Sequence, residues 1–304
     1  MKKWICLLLA LPLLAQAVEI KIGFQKSAGL LSMMKTQGAL EKSLPGHTIK
    51  WIEFPAGPQM LEALNAGSID FGSTGAPPPV FAQAGGVDLL YVGAEPAPVN
   101  SEAIIVPKES KIRAVADLKG KRVAFQKGSG SHFLLASALQ KAGLKFSDIT
   151  PIYLSPSDAR AAFASGGIDA WVVWDPYLAS AQKAYQARLL ADYTGLPLAN
   201  GFYLASSKFV KAAPQLVSAL LEQVKLTGKW ASEHQQEVST LLTQQTGVPA
   251  DIVATWMGRS RFGATPVTPE IVANQQRVAD LFYQQKLIPK SVDIASRVWA
   301  WQPK

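Results

Sequence analysis

Cysteine is nearly absent from this chain. One occurs in 304 residues, Cys6, and it lies in the N-terminal apolar run. Beyond that run there is no thiol, which excludes disulfides, zinc–thiolate sites and a cysteine nucleophile. Histidine is scarce as well. His47, His132 and His234 are the three, and no two stand at a metal-ligand spacing. No Gly-x-Ser-x-Gly elbow occurs. Ser32-x-x-Lys35 matches one element of the β-lactamase motif set, but neither Ser-Asp-Asn nor Lys-Thr-Gly follows. No run of Lys and Arg interleaved with aromatics suggests nucleic acid, and Arg259-Ser260-Arg261 is too short for one. The sequence therefore assigns no catalytic residue, no metal site, no cofactor and no nucleic-acid partner.

Long apolar runs are missing too. Trp4 to Leu14 is the longest, shorter than the roughly 20 residues of a membrane span. It follows basic Lys2 and Lys3 and precedes Ala15-Gln16-Ala17, a small-x-small site. This is the pattern of a secretory signal peptide over 1–17, with cleavage expected after Ala17. A cysteine-free remainder suits an oxidising compartment such as the periplasm. Loss of Lys2 and Lys3 lowers the net charge from +8 to +6, a modest bias towards anionic partners.

The chain does contain an internal echo. Ile22-Gly23-Phe24-Gln25-Lys26-Ser27-Ala28-Gly29 is answered 101 positions later by Val123-Ala124-Phe125-Gln126-Lys127-Gly128-Ser129-Gly130. Gly67-Ser68-Ile69-Asp70 is answered 99 positions later by Gly166-Gly167-Ile168-Asp169, and Pro77 falls in step with Pro176. Two ordered pairs at nearly one offset predict two similar lobes. Strand and helix patterns alternate from residue 19 to about 192, as in α/β folds with mostly parallel sheets. Two extended Pro/Gly-rich segments, 95–100 and 194–201, interrupt the alternation, and a mainly helical stretch follows. The expected organisation is lobe I from 18–98 plus 200–304, with lobe II from 99–199 inserted between two crossings. Such pairs close on ligands by rotating about the crossings.

Ligands of α/β lobes bind at the carboxyl ends of the strands, which singles out three loops. Lys127-Gly128-Ser129-Gly130-Ser131-His132 ends a strand and opens a helix. Its glycines permit close backbone approach, and its amides and hydroxyls lie at the positive helix end, an anion site in outline. An ordinary strand–helix turn with a serine cap reads the same way. Gly72-Ser73-Thr74-Gly75-Ala76-Pro77 is the facing candidate, and Gln25 adds an amide donor. Trp174-Asp175-Pro176-Tyr177 ends another strand. There Trp174 and Tyr177 would wall a cleft, while Trp171 belongs in the core. Asp175 is expected to cap the following helix. Lys26 and Lys127 are expected in solvent. A pocket of donors alone suits a sulfonate, which is permanently anionic and carries acceptors only.

The chain resembles the aliphatic sulfonate-binding proteins of bacterial ABC transporters, within the nitrate/sulfonate/taurine-binding family. The runs that carry the likeness include Glu53-Phe54-Pro55-Ala56-Gly57-Pro58-Gln59, Ala63-Leu64-Asn65-Ala66-Gly67-Ser68-Ile69-Asp70-Phe71 and Pro78-Pro79-Val80-Phe81-Ala82-Gln83-Ala84. Phe125-Gln126-Lys127-Gly128-Ser129 and Trp174-Asp175-Pro176-Tyr177 extend it. The resemblance implies the two-lobed periplasmic solute-binding fold of type II, with a small organic sulfonate in the cleft. It further implies a monomer that delivers its ligand to an inner-membrane permease. Gln25, Ser73, Thr74, Gly75, Gly128, Ser129, Ser131, His132, Trp174 and Asp175 are the binding positions carried over. Taurine, sulfate esters and other small organic anions remain as alternative ligands. An enzyme on the same scaffold is the less favoured reading.

Overall fold

The computed structural model describes residues 18–25, 29–97 and 100–303. The expected signal peptide and Lys26 lie outside them. The elements follow the hydrophobic pattern. Strand β1 (Glu19–Gln25) alternates exposed and buried positions before its buried end. Helices α1 (Leu30–Gln37) and α2 (Ala39–Ser43) come next. Their sequence suggests one helix over Leu30–Ser43, but Gly38 at φ 59 breaks it. Then come β2 (Thr48–Phe54), α3 (Gly57–Asn65), β3 (Phe71–Thr74), α4 (Pro77–Ala84) and β4 (Leu89–Ala94).

The chain then crosses to β5 (Glu102–Val106), β6 (Arg122–Phe125), α5 (Gly130–Lys141) and β7 (Thr150–Tyr153). It continues through α6 (Pro156–Ala164), β8 (Ala170–Trp174), α7 (Tyr177–Tyr185) and β9 (Arg188–Ala191). A second crossing leads to β10 (Phe202–Ser206) and five helices: α8 (Ser207–Ala212), α9 (Pro214–Glu233), α10 (Gln235–Thr246), α11 (Ala250–Arg259) and α12 (Pro269–Gln284). Proline opens α3, α4, α6, α9 and α12, where its missing N–H leaves no hydrogen bond unmade.

Two five-stranded sheets result, in the orders β2-β1-β3-β10-β4 and β7-β6-β8-β5-β9. The orders match position for position, with β1 equivalent to β6 and β3 to β8. The fourth place in each sheet goes to the strand that enters after a crossing. That strand, β10 or β5, runs antiparallel to both neighbours. The two-lobed α/β expectation holds, and each sheet is mostly parallel: four of its five strands run the same way, and one antiparallel strand makes it mixed. The reason is topological: a chain that has just crossed enters from the hinge side and runs back along the sheet.

The echoed motifs occupy equivalent places. Asp70 Oδ2 accepts a hydrogen bond from the Lys21 amide at 2.9 Å, and Asp169 Oδ2 accepts one from the Arg122 amide at 2.8 Å. The Gly-x-Ile-Asp repeat thus anchors the equivalent strands β1 and β6 and is structural. Glycines also set α3 close to the first sheet. A Cβ at Gly23 would stand 2.6 Å from Ile69 Cδ1, and one at Gly72 would stand 2.8 Å from Met60 Sδ. Close packing at both positions fixes the start of α3 beside the end of β3.

One apolar core joins the lobes. Phe81 of α4 and Phe282 of α12 pack against His132 of α5 at ring separations of 5.7 and 5.1 Å. Ionic contacts span the other flank, where Arg259 at the end of α11 reaches Asp175. No helix among the described residues is long and apolar enough to cross a membrane.

Candidate functional site

The carboxyl ends of β1, β3 and β8, the starts of α3, α4 and α5, and both crossings surround a cavity of about 250 Å³. That is below the roughly 300–1,000 Å³ of sites for drug-sized molecules, so the cavity suits a small ligand. Of the sequence-predicted positions, Gln25, Ser73, Thr74, Gly75, Ser129, Trp174 and Asp175 line it.

Gly128, Ser131 and His132 do not. Ser131 and His132 are both 0% exposed, because the first turn of α5 rolls them under the loop into the core. His132 Nδ1 accepts the Gly128 amide at 3.2 Å. Its Nε2 has no partner and sits among Phe81, Phe125, Phe146 and Phe282. Burial, aided by the nearby charge of Lys127, pushes its pKa down to about 3. It is a neutral core imidazole. Gly128, at φ +74, faces the Phe81 ring.

Several cavity donors already have internal acceptors. Gln25 Nε2 donates to the Ser73 carbonyl at 3.0 Å, Thr74 Oγ1 to the Gly75 carbonyl at 2.9 Å, and Ser129 Oγ to the Gln126 carbonyl at 2.7 Å. A ligand oxygen would claim the two hydroxyl protons by rotation about the Cβ–O bond. Asp175 is buried at 4% exposure. It accepts the Ala179 amide at 2.9 Å, which is the expected helix cap. It also pairs with Arg259 at 3.3 Å, and Arg259 in turn donates to Gln182 at 2.7 Å. Burial raises the Asp175 pKa, and Arg259 and the Ala179 amide oppose the rise. Tyr177 packs edge-on to Trp171 in the lobe II core rather than on the cavity. Trp171 is 1% exposed, as the sequence reading has it. Lys127 lies over the Tyr153 ring.

Sequence reasoning missed the acidic part of the cavity. Glu95 and Glu102 both line it, so it is not a pocket of donors alone. Glu95 follows β4, Glu102 opens β5, and the first crossing runs between them. Each faces a tyrosine, Tyr193 from the second crossing and Tyr203 from β10. Tyr193 Oη donates to Glu102 Oε2 at 3.1 Å and stands 3.2 Å from the Gly130 carbonyl. Tyr203 Oη donates to the Gly263 carbonyl at 3.2 Å, and the hydroxyls of Tyr203 and Ser73 favour the ionised form of Glu95. Burial pushes both carboxyls up to about 7, against the lowering effect of these hydrogen bonds. Two glycines make room for them. A Cβ at Gly201 would lie 2.4 Å from Glu95 Oε2, and one at Gly130 would lie 2.3 Å from Glu102 Oε1. A sequence signal did exist: each glutamate stands at one end of a proline-rich crossing. Segments of that composition are ordinarily solvated, so it was not a strong one. Arg261 is the cation among the lining residues; the short Arg259-Ser260-Arg261 run supplies both it and the Asp175 partner.

A two-lobed binding protein is the class that this architecture defines, with matched sheets, two crossings and a small polar cavity between strand ends. Comparison with known proteins agrees. The family description NMT1/THI5 like matches residues 50–238. An aliphatic sulfonates-binding protein of Escherichia coli is 47% identical over 92% of this chain and 88% of its own length. The alkanesulfonate-binding protein SsuA from Xanthomonas axonopodis pv. citri, solved bound to MOPS, superposes with a TM-score of 0.90. It shares 44% identity over 94% of this chain and 99% of its own. The periplasmic aliphatic sulphonate binding protein SsuA from E. coli gives a TM-score of 0.86 at 47% identity, covering 94% and 92% of the two chains. The chain belongs to the NMT1/THI5-like family.

Proposed function

We propose that this protein captures a small organic sulfonate in the cavity between its lobes and hands it to an ABC transporter permease in the inner membrane. The supporting observation is a donor-bearing cavity of about 250 Å³ at matched strand ends. It occurs in a chain 47% identical to a sulfonate-binding relative. MOPS, bound in the Xanthomonas structure, is itself an organic sulfonate. Gln25, Ser73, Thr74, Gly75, Ser129 and Trp174 line the proposed ligand site, Asp175 holds it together through Arg259, and Arg261 supplies positive charge at its wall. Gly128, Ser131 and His132 support the loop from behind. The lobes meet at the crossings 95–101 and 192–201. Residues 1–17 act as a cleavable export signal, and the mature protein is a periplasmic monomer that performs no chemistry on its ligand.

Calorimetry on the mature protein with methane-, ethane- and pentanesulfonate, taurine, sulfate and nitrate tests the reading. Saturable 1:1 binding of at least one organic sulfonate, tighter than sulfate or nitrate, is expected. Binding of nitrate or sulfate alone would overturn it.

A further inference from the structure

The lobe I wall of the cavity is a turn that its own helix cannot supply with donors. Ser73, Thr74, Gly75 and Ala76 line the cavity, and the next three residues, Pro77, Pro78 and Pro79, open α4. None of the three prolines has an N–H to give. Side chains reach the carbonyls of this turn instead. Gln25 Nε2 donates to the Ser73 carbonyl at 3.0 Å, Thr74 Oγ1 to that of Gly75 at 2.9 Å, and Gln275 Nε2 of α12 to that of Ala76 at 2.7 Å.

The three ties differ in what a ligand does to them. Gln25 and Thr74 line the cavity themselves, so a ligand oxygen competes for their hydrogens. Gln275 does not line it and is 1% exposed, so a ligand does not compete for its bond to Ala76. The neighbours of Gln275 set the orientation of its amide. Nε2 also donates to Tyr91 Oη at 3.3 Å, and Tyr91 Oη donates to Gln83 Oε1 at 3.2 Å. A flipped amide would set Oε1 against the Ala76 carbonyl, acceptor against acceptor. In the orientation present, Gln275 Oε1 is buried without a partner among the described residues. An orphaned buried acceptor is costly, and an apolar side chain of the same length would avoid that cost. What the amide provides in return is its pair of hydrogens: one fixes the Ala76 carbonyl, and the other joins it to the Tyr91–Gln83 chain.

We propose that Gln275 is a positioning residue for ligand binding: from α12, 199 positions along the chain, its amide holds the Ala76 carbonyl and so sets the Ser73–Gly75 donors where a sulfonate meets them. The inference rests on the sulfonate reading given above. It requires a hydrogen-bond donor at position 275, not merely a side chain that fills the space. A glutamate there meets the requirement only while protonated, because an ionised carboxylate has acceptors and no donor. Burial favours the protonated form of an introduced carboxyl and keeps it neutral above the ordinary carboxylate range.

The test is calorimetry with pentanesulfonate on the mature wild-type protein, Gln275→Met and Gln275→Glu, at pH 5 and pH 8, with circular dichroism to show that each variant is folded. Each variant is compared with wild type at the same pH. Gln275→Met should bind about tenfold more weakly at both pH values, the loss of one well-placed hydrogen bond. Gln275→Glu should bind within about twofold of wild type at pH 5, where its carboxyl donates, and about tenfold more weakly at pH 8, where it ionises. Wild-type affinity in Gln275→Met would overturn the positioning role. So would a loss in Gln275→Glu at pH 5 equal to that in Gln275→Met, which marks packing rather than a donor. Either result leaves the sulfonate reading intact, because the wild type still binds. Failure of the wild type to bind any sulfonate would remove the sulfonate reading and this one together.

Discussion

The two lobes share one strand plan yet use its loops differently. In lobe I the loop after β3 lies open on the cavity, with Ser73, Thr74 and Gly75 all on the wall. In lobe II the loop before α5 shows Ser129 and Gly130 to the cavity and sends Ser131 and His132 into an aromatic core. Lobe I thus presents side chains, and lobe II presents a loop held from behind by packing. The matched parts are the scaffold: the strand order, and Asp70 and Asp169 on the amides of the equivalent strands β1 and β6. The lobes are alike in what closes the sheets and differ in the side chains their loops present.

The sharpest way to break this comparison is a charge on the rigid loop. Ser129→Glu puts an acid on the cavity wall, where Ser129 is only 5% exposed. Sulfonate affinity should fall at least 100-fold, about 3 kcal/mol, in calorimetry, and retained affinity would remove this loop from the site. Next is the tie between the lobes. Arg259→Met leaves Asp175 buried without its cation, and breaking such a pair is costly. With Arg259 partly exposed, a loss of about 2 kcal/mol in denaturant unfolding is expected, and an unchanged midpoint would show the pair to be idle.

Glycine substitutions compare the loops directly. Gly75→Ala meets nothing within 4 Å, whereas Gly130→Ala would push against the Glu102 carboxyl. In denaturant unfolding the first should leave stability within about 0.5 kcal/mol, and the second should lower it by about 1 kcal/mol. Equal effects would contradict the asymmetry.

Titration gives a smaller effect, with opposite signs for the half-buried glutamates and the buried histidine. The glutamates have folded pKa values near 7, above their unfolded values, so their contribution is full below about 4.5 and lost as pH rises through 7. His132, near 3 when folded, contributes fully above its unfolded value of about 6.5 and loses that contribution as pH falls. The melting temperature of the empty protein should therefore rise from pH 8 to pH 6.5. Glu95→Gln/Glu102→Gln together should flatten that rise, and His132→Asn should remove the opposing acid-side loss. A rise that persists in the double glutamine variant would place its origin elsewhere.

Much of this was legible in the chain. The Gly-x-Ile-Asp echo located equivalent strand starts, and the small-residue loops located most of the cavity wall. What was not legible follows from physics that periodicity does not carry. Which face of the first turn of α5 points outwards depends on Phe81 and Phe282 arriving from elsewhere in the chain, so Ser131 and His132 read as ligand contacts. Glu95 and Glu102 flank a proline-rich crossing that resembles a solvated linker, and their tyrosines arrive from about a hundred residues later in the chain. The α1/α2 break at Gly38 was masked by an apolar pattern that runs through it. The antiparallel β5 and β10 follow from the crossings rather than from any strand pattern.

The central claim is that the ligand bridges the two lobe loops. A crystal structure of the mature protein with pentanesulfonate tests it most directly. The account predicts sulfonate oxygens held between the Ser73–Gly75 loop and the Ser129–Gly130 turn, with the chain towards Trp174. A sulfonate bound away from this cavity, or touching one lobe alone, would contradict it.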